Sequence, residues 1–220
     1  MAIAFDAAGG RSFSASSNSL TYSHTCTGTN RYLLVCVKTS TTDDVSGITY
    51  NSVSMTQIGK VQNPGGDSRW AYMYYLINPA SGANNVVVST SDTPDFIIAK
   101  STSFTGVKQS GQPDASTTGT VAVGTSITLS ITTIADNCWS AMYVIDTNAP
   151  AASTNVTDRH SDGTPETLGD TNAVVSPAGN ISQTMTDSLR SFAGIQSSFS
   201  PFVASTTVVP NPTLLTLQVG

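Results

Sequence analysis

The run Tyr32-Leu33-Leu34-Val35-Cys36-Val37 is apolar at every position, with turn residues before it and a polar loop after it. An apolar run of strand length without polar alternation is typical of a strand that is buried on both faces. It begins a segment, residues 31–106, in which four further apolar runs are each closed by Gly, Pro, Asn or Asp. Those runs lie at 48–50, 69–79, 84–90 and 96–106. This arrangement predicts an antiparallel β-sandwich with the segment 31–106 as its scaffold.

The composition also favours an all-β fold. Of the 220 residues, 31 are Ser and 32 are Thr, while charged residues make up only 10%. Thr suits half-exposed positions in a sheet, and Ser competes with helices for backbone hydrogen bonds. Strong helix formers are scarce, and Glu166 is the only glutamate in the chain. We therefore expect an all-β fold, namely an antiparallel, jelly-roll-like β-sandwich.

Turn residues and alternation predict further strands around the apolar run. Residues 20–24 predict an edge strand with Leu20, Tyr22 and His24 on one side. Asn51-Ser52 lies between two short strand-like runs and predicts a two-residue hairpin turn.

In the second half of the chain, polar loops are expected to separate the strands. Residues 125–133 alternate between apolar and polar side chains and are expected to pair with residues 138–145 across a turn at 136–137. A surface loop with a strand edge is expected at 107–124, and a second long loop is expected at 146–165. Three further strands are expected at 166–176, 181–186 and 190–199.

One β-sandwich domain is expected to span residues 1–201, because strand-like runs recur about every 8–12 residues as far as Pro201. Residues 202–220 contain two more apolar runs around Pro210-Asn211-Pro212. They predict a C-terminal strand or arm that contacts a neighbouring subunit. The apolar residues expected at that contact are Val203, Val208, Val209, Leu214, Leu215 and Leu217.

Charge and targeting signals argue against several classes of partner. The net charge is −5, the pI is near 4.6 and no cluster of Lys or Arg occurs, so we expect no nucleic-acid partner. No apolar stretch approaches the roughly 20 residues of a membrane span, so we expect no membrane partner. The N-terminus lacks the basic and apolar regions of a secretory signal, which predicts a protein made and kept in a cytoplasm or released without such a signal.

The three cysteines predict buried thiols. They are Cys26, Cys36 and Cys138, an odd number without the spacing of a disulfide framework. Cys36 lies in the apolar run and Cys138 precedes Trp139, which favours core positions for both. A bridge between Cys26 and Cys36 across adjacent strands is kept as an alternative.

Three short motifs resemble catalytic or metal sites, but each has a simpler structural interpretation. Gly66-Asp67-Ser68 resembles the nucleophile block of the Gly-Asp-Ser-Leu lipases, yet that family is α/β, and Asp158-Arg159-His160 is one residue shorter than its Asp-x-x-His block. The segment 158–163 resembles the start of a calcium loop, although histidine is a poor ligand for a hard cation. His24 and Cys26 provide only two metal ligands. We therefore expect no enzyme activity, no cofactor and no bound metal.

An aromatic stripe offers a possible carbohydrate-binding surface. Trp70, Tyr72 and Tyr74 lie at strand spacing on one face of a predicted strand. If this face were exposed, the rings would form a platform for stacking on sugars. We favour a core face, because Trp and Tyr bury large areas and aromatic residues of a central strand usually lie in the core.

The order of strand ends and turns is similar to that of a diffuse family of β-sandwich domains found in phages and environmental bacteria. The residues that carry this resemblance are 30–35, 48–56, 74–82 and 103–107. Domains of this family recur in virion surface proteins and in large secreted proteins. The resemblance covers about residues 30–200, and its motifs are structural, so the family provides no catalytic residues to transfer.

The resemblance and the missing catalytic set together suggest a structural virion protein. We expect a bacteriophage capsid decoration protein that is assembled in the host cytoplasm and lies on the virion surface. Its expected partners are capsid or other virion proteins and further copies of itself, with a trimer as the expected oligomer. The alternative is a carbohydrate- or receptor-binding module of a tail or host-attachment protein, with a glycan as its partner.

Overall fold

The computed structural model describes residues 1–40, 42–66, 68–160 and 163–204. All regular elements in these residues are β-strands, so the predicted all-β class is confirmed. The same residues contain no helix that is long and apolar enough to cross a lipid bilayer. In chain order the strands are β1 (Ala4–Ala15), β2 (Ser19–Cys26), β3 (Tyr32–Thr39), β4 (Val45–Tyr50), β5 (Val53–Ser54), β6 (Thr56–Gln62), β7 (Trp70–Ile77), β8 (Gly82–Thr90), β9 (Phe96–Thr105), β10 (Ala115–Thr132), β11 (Trp139–Ile145), β12 (Ala151–Ala152), β13 (Thr157–Asp158), β14 (Glu166–Asp170) and β15 (Asn180–Phe199).

The strands form three antiparallel sheets that pack together. The central sheet has the strand order β1-β9-β3-β7-β6. The small sheet, β2-β8-β4-β5, packs on one of its faces. The large sheet, β10-β15-β11-β14-β13 with β12 beside β15, packs on the other face. This packing confirms the predicted antiparallel β-sandwich.

The apolar run at the centre of the sequence is β3, the middle strand of the central sheet. Its side chains alternate between two cores: Leu33 and Val35 pack towards the small sheet, whereas Leu34 and Cys36 pack towards the large sheet. All eight residues of β3 are buried. The run has no polar alternation because each face of the strand is covered by a different sheet.

The first half of the chain follows the sequence-based expectation closely. β2 lies at the edge of the small sheet, with Leu20 and His24 buried. Asn51 and Ser52 have φ angles of 48° and 65°, the left-handed conformation that a two-residue hairpin requires. All three cysteines are free and buried, so the alternative of a disulfide bridge is wrong.

The large sheet departs most from the expectation. β10 begins at Ala115, so the strand that was expected only as an edge of the loop at 107–124 takes up the whole second half of that segment. The predicted pairing of 125–133 with 138–145 is also wrong, because β15 lies between β10 and β11 and pairs with both. β15 is one strand of 20 residues where two separate strands were expected. Residues 115–124 are half-exposed and carry few large apolar side chains, so their sequence lacks the apolar alternation by which a strand is recognised.

The large sheet also folds back on itself. The pairing of β15 with β10 is interrupted at residues 187–189. Beyond this bulge, Ile127 and Leu129 of β10 cluster with Val144, which lies on the outer face of β11. Gln183 is buried in the same place and accepts a hydrogen bond of 2.7 Å from a β11 serine. A bulge commonly bends a strand in this way, and here it closes a third, smaller core.

Candidate functional site

The aromatic stripe of β7 lies in the core. Tyr72 and Tyr74 are buried between the central and small sheets. Their hydroxyl groups donate to Asp43 Oδ1 at 3.0 Å and to Gln57 Oε1 at 2.9 Å. Trp70 is half-buried and stacks on Tyr72, with ring centroids 6.3 Å apart. A sugar ring cannot stack on the two buried tyrosines, which leaves Trp70 as the part of the stripe that a glycan can reach.

The lipase-like and calcium-like motifs form turns. Ser68 has a φ angle of 49°, and its backbone N–H donates to Gly65 at 3.3 Å, in the turn that precedes β7. The two ring nitrogens of His160 lie 3.4 and 3.3 Å from the carbonyl oxygens of Leu168 and Ser101, and the single N–H of the neutral ring can donate to one of them. Asp67 and residues 161–162, which belong to the two motifs, lie outside the described residues.

A serine and a histidine that the sequence did not connect are in contact in the core. Ser101 Oγ of β9 lies 2.9 Å from His24 Nδ1 of β2. The other ring nitrogen, His24 Nε2, is buried and has no hydrogen-bond partner, so no carboxylate orients the ring. Burial lowers the pKa of His24 to about 4, which keeps the imidazole neutral near pH 7. The pair connects the small and central sheets and lacks the third group and the open access of a catalytic triad.

Buried charges connect the central sheet to the large sheet. Glu166 is fully buried, and its Oε1 lies 2.8 Å from Arg11 Nε. Lys38 follows Leu34 and Cys36 on the inner face of β3, and its Nζ lies 3.7 Å from Glu166 Oε2. Burial lowers the pKa of Lys38 to about 8, while the Glu166 carboxylate opposes this shift. These charges offset one another where the central and large sheets meet.

A small hollow lies above this charge cluster. It has a volume of about 360 Å³ and is lined by Arg11, Arg159 and His160 together with two small residues of β1. Arg11 is already paired with Glu166, and Arg159 contacts both carboxylate oxygens of Asp170 at 2.6 and 2.8 Å. Because buried acids neutralise both guanidinium groups, the hollow has little free positive charge for an anion.

A larger, apolar groove lies where the chain leaves β15. It consists of two adjoining hollows of about 480 and 360 Å³ that share Asn137, Pro201 and Val203 in their walls. We call this feature the tail-end groove. Four exposed apolar side chains lie along it: Met1, Ile134, Val174 and Val203, with exposures of 65%, 78%, 51% and 78%. They are half of the large apolar side chains that are exposed in the described chain, and such clustering marks a contact surface.

Backbone hydrogen bonds fix the walls of the tail-end groove. The N–H of Phe202 donates to Gly106 at 2.7 Å. The N-terminal ammonium group of Met1 donates to Phe202 O at 2.9 Å. The segment after β15 is therefore held between the end of β9 and the start of the chain. Of the predicted subunit-contact residues, Val203 lies in this groove. The others, Val208, Val209, Leu214, Leu215 and Leu217, lie outside the described residues.

Comparison with known proteins adds no family to this picture. No model of a known protein family matches the chain, and no curated protein matches it significantly.

Several residues of these sites were not identified from the sequence. Ile134 and Val174 are isolated apolar residues among polar neighbours. This contrast was the one feature of the sequence that indicated an exposed apolar side chain at each position. Lys38 lies two residues after Cys36, on the face of β3 that packs towards the large sheet. Its position in the alternation of this strand could have indicated a buried lysine. Its partner Glu166 stands out as the only glutamate, but the spacing of the two residues gives no hint that they meet.

Proposed function

We propose that this chain is a structural protein of a bacteriophage particle, namely a capsid decoration protein that binds the head surface and associates with further copies of itself. The observation that carries this proposal is the tail-end groove, where exposed apolar side chains surround the start of the C-terminal segment. Such a surface is suited to a protein partner, since burying a large aliphatic side chain stabilises a contact by about 1.5–3 kcal/mol.

The occupant that we propose for the groove is the C-terminal segment of a neighbouring copy. The sequence of residues 213–219 partly alternates, and in an extended conformation Leu215, Leu217 and Val219 would lie on one face. Val203 lines the groove one residue before Ala204, the last described residue of the chain. Exchange of such arms joins copies in a symmetric assembly without requiring a flat interface.

The surface of the domain is compatible with packing in a lattice. Only 10% of the residues are charged, and Ser and Thr supply many neutral hydrogen-bonding groups. β10 and β15 expose paired hydroxyls, for example Thr128 with Thr184 at 2.9 Å and Ser130 with Ser182 at 2.7 Å. Neutral groups of this kind can form hydrogen bonds to neighbouring subunits without the desolvation of charges.

The mass of the protein in solution tests the role of the groove. By light scattering after size exclusion, we expect three times the 22.8-kDa chain mass for the full chain. Ile134→Asp should reduce the mass to that of one chain, because it places a charge in the apolar groove. Val123→Asp is the matched control, since Val123 is 70% exposed but is not among the groove residues. A full chain that stays monomeric at all concentrations, or equal masses for the two variants, would contradict the proposed self-association.

A chain that ends at Ala204 tests the proposed occupant. Loss of the trimer on truncation supports the arm, and a trimer that survives truncation excludes it. A monomeric full chain whose residues 205–220 resist proteolysis would instead place the segment in its own groove.

A glycan array distinguishes the decoration protein from the carbohydrate-binding alternative. We expect no glycan to bind the wild type. Binding that Trp70→Ala abolishes would favour the alternative, because Trp70 is the part of the aromatic stripe that a glycan can reach.

A further inference from the structure

The outermost strand of the large sheet has an open edge. This strand is β10, and in the described part of the chain it pairs with β15 alone. Residues 115–121 pair with β15 in regular register, and the register shifts begin only after Val121. In an antiparallel ladder, alternate N–H and C=O groups point away from the partner strand. These seven residues therefore present a row of backbone donors and acceptors along the open edge.

The side chains of this edge do not protect it from pairing with another chain. Residues 115–132 contain no Asp, Glu, Lys, Arg or Pro. Natural proteins commonly place charges or prolines on edge strands, because an unprotected edge is a template for a further strand. Of the other outer strands, β1 carries Asp6 and Arg11, and β6 carries Lys60. β10 is the longest outer strand of the three sheets, and it has no such charge.

The two faces of residues 115–121 have different surroundings. A Cβ atom at Gly119 would lie 2.6 Å from Leu129 Cδ2, so the odd-numbered positions face the third core. Val121 packs against the same core. On the other face, Thr118 and its even-numbered neighbours are exposed. A strand that extends the sheet at this edge should therefore have apolar side chains on one face and polar side chains on the other.

The sequence of the C-terminal segment suits this edge. Residues 213–219 equal the regular part of the edge in length, and residues 205–220 contain no charged side chain. In an extended conformation, residues 213–219 would have one apolar face and one mixed, largely polar face. The apolar face would consist of Leu215, Leu217 and Val219, and the other would include Leu214, Thr216 and Gln218. The apolar face can therefore extend the third core, while the other continues the exposed Ser and Thr side chains of β10.

The tail-end groove leads to the start of this edge. Asp114, the residue before β10, lines the groove together with Val203. The carboxylate of Asp114 also accepts the backbone N–H of Ile134 at 2.7 Å, which holds it in the groove wall. The eight residues between Ala204 and Thr213 reach at most about 26–29 Å when fully extended. An arm that enters the groove of a neighbouring copy therefore arrives beside the first residues of β10.

Two prolines in the linker favour the edge of a neighbouring copy over the chain's own edge. Pro210 and Pro212 fix their own φ angles and restrict the residues before them to extended conformations. Such a linker disfavours a tight reversal of the arm onto the domain that it leaves. We propose that residues 213–219 of a neighbouring copy bind along residues 115–121 as an added strand of the large sheet. This inference rests on the proposed exchange of arms and specifies what the arm binds, namely a sheet edge with main-chain hydrogen bonds.

Hydrogen exchange of the full chain, measured by mass spectrometry on peptides that cover residues 115–121, tests the added strand. A variant with both Thr216→Pro and Leu217→Pro cannot form it, because one of two successive N–H groups must face β10 and proline has none. About half of the amides of this edge should exchange at least about tenfold more slowly in the wild type than in this variant. Asn211→Pro is the control, since it adds a proline to the arm outside the proposed strand, and it should keep the protection.

Equal exchange in the wild type and in the double-proline variant would overturn the added strand. If the wild type is assembled in that experiment, self-association through the groove still stands, because the light-scattering masses measure it separately. Protection that persists in the wild type after dilution to single chains would show that the edge binds the chain's own arm, and it would overturn the exchange between copies. None of these results depends on whether the protein decorates a capsid.

Discussion

Gly9 of β1 and Ser101 of β9 are direct partners across the two strands, and a Cβ atom at position 9 would overlap Ser101 Oγ. The same atom would lie 2.9 Å from His24 Nδ1. β1 can therefore cover the His24–Ser101 contact only because position 9 has no side chain. The contact joins the small sheet to the central sheet, so three strands from two layers depend on one glycine.

Gly9→Ala should destabilise the fold. The added methyl group has to displace a buried hydroxyl and a buried ring, and overpacking of this kind costs about 1–3 kcal/mol. Gly10→Ala is the control, because a Cβ atom at position 10 meets no other atom within 4 Å. Urea denaturation measures the free energies of unfolding. Equal values for the two variants would show that the close approach has no energetic consequence.

Glu166→Gln should be more harmful than the loss of an exposed charge. It leaves Lys38 and Arg11 without their buried counter-charge, and breaking a buried ion pair costs about 3–5 kcal/mol. Lys60→Gln removes a partner from the exposed pair of Lys60 and Asp43 and should cost less than about 1 kcal/mol. A loss of stability in the Glu166 variant as small as in the Lys60 variant would contradict the structural role of the buried cluster.

His24 should make the fold sensitive to acid. Its folded-state pKa is about 4, below the ordinary value of 6.5, mainly because of burial. The unfolded state therefore binds a proton that the folded state excludes, and stability falls as the pH drops from 6.5 towards 4. In the His24→Asn variant, the side-chain amide keeps a hydrogen-bond acceptor for Ser101 but does not titrate. The free energy of unfolding should fall by up to about 3 kcal/mol more in the wild type than in His24→Asn across this range; parallel curves would refute the assignment.

The turn at Asn51-Ser52 should accept glycine. Ser52 has a φ angle of 65°, a conformation that glycine adopts without strain. Relief of the left-handed strain, about 1–2 kcal/mol, exceeds the roughly 0.5–1 kcal/mol entropy cost of glycine, so we expect Ser52→Gly to stabilise the fold by up to about 1 kcal/mol. Ser54→Gly lies two residues later in β5, where glycine weakens a strand. Thermal unfolding should therefore shift Tm in opposite directions for the two variants, and a lower Tm for Ser52→Gly would be incompatible with the left-handed turn.

The sequence predicted best those elements whose signals are local. β3 was recognised because burial on both faces leaves a continuous apolar run. The hairpin at Asn51-Ser52 was recognised because left-handed turns require particular residues. The aromatic residues of β7 were placed in the core because rings of that size are seldom exposed in a central strand.

The sequence could not reveal features that depend on distant pairing. β10 looks like a loop because its first half is rich in Thr, Ser and Gly, and it is a strand only because β15 pairs with it. The contacts of Glu166 with Lys38 and of Asp187 with Asn148 join elements that are far apart in the chain. No periodicity encodes such encounters, since they follow from the order of strands in the folded sheets.

Quantitative mass spectrometry of purified phage particles tests the central proposal most directly. The particles should come from a culture in which this chain is made naturally, and the chain should be quantified relative to the major capsid protein. We expect a fixed ratio of many copies per particle that survives density-gradient purification, as regular decoration of a symmetric capsid requires. A chain that is abundant in the lysate but missing from the purified particles would contradict the proposal.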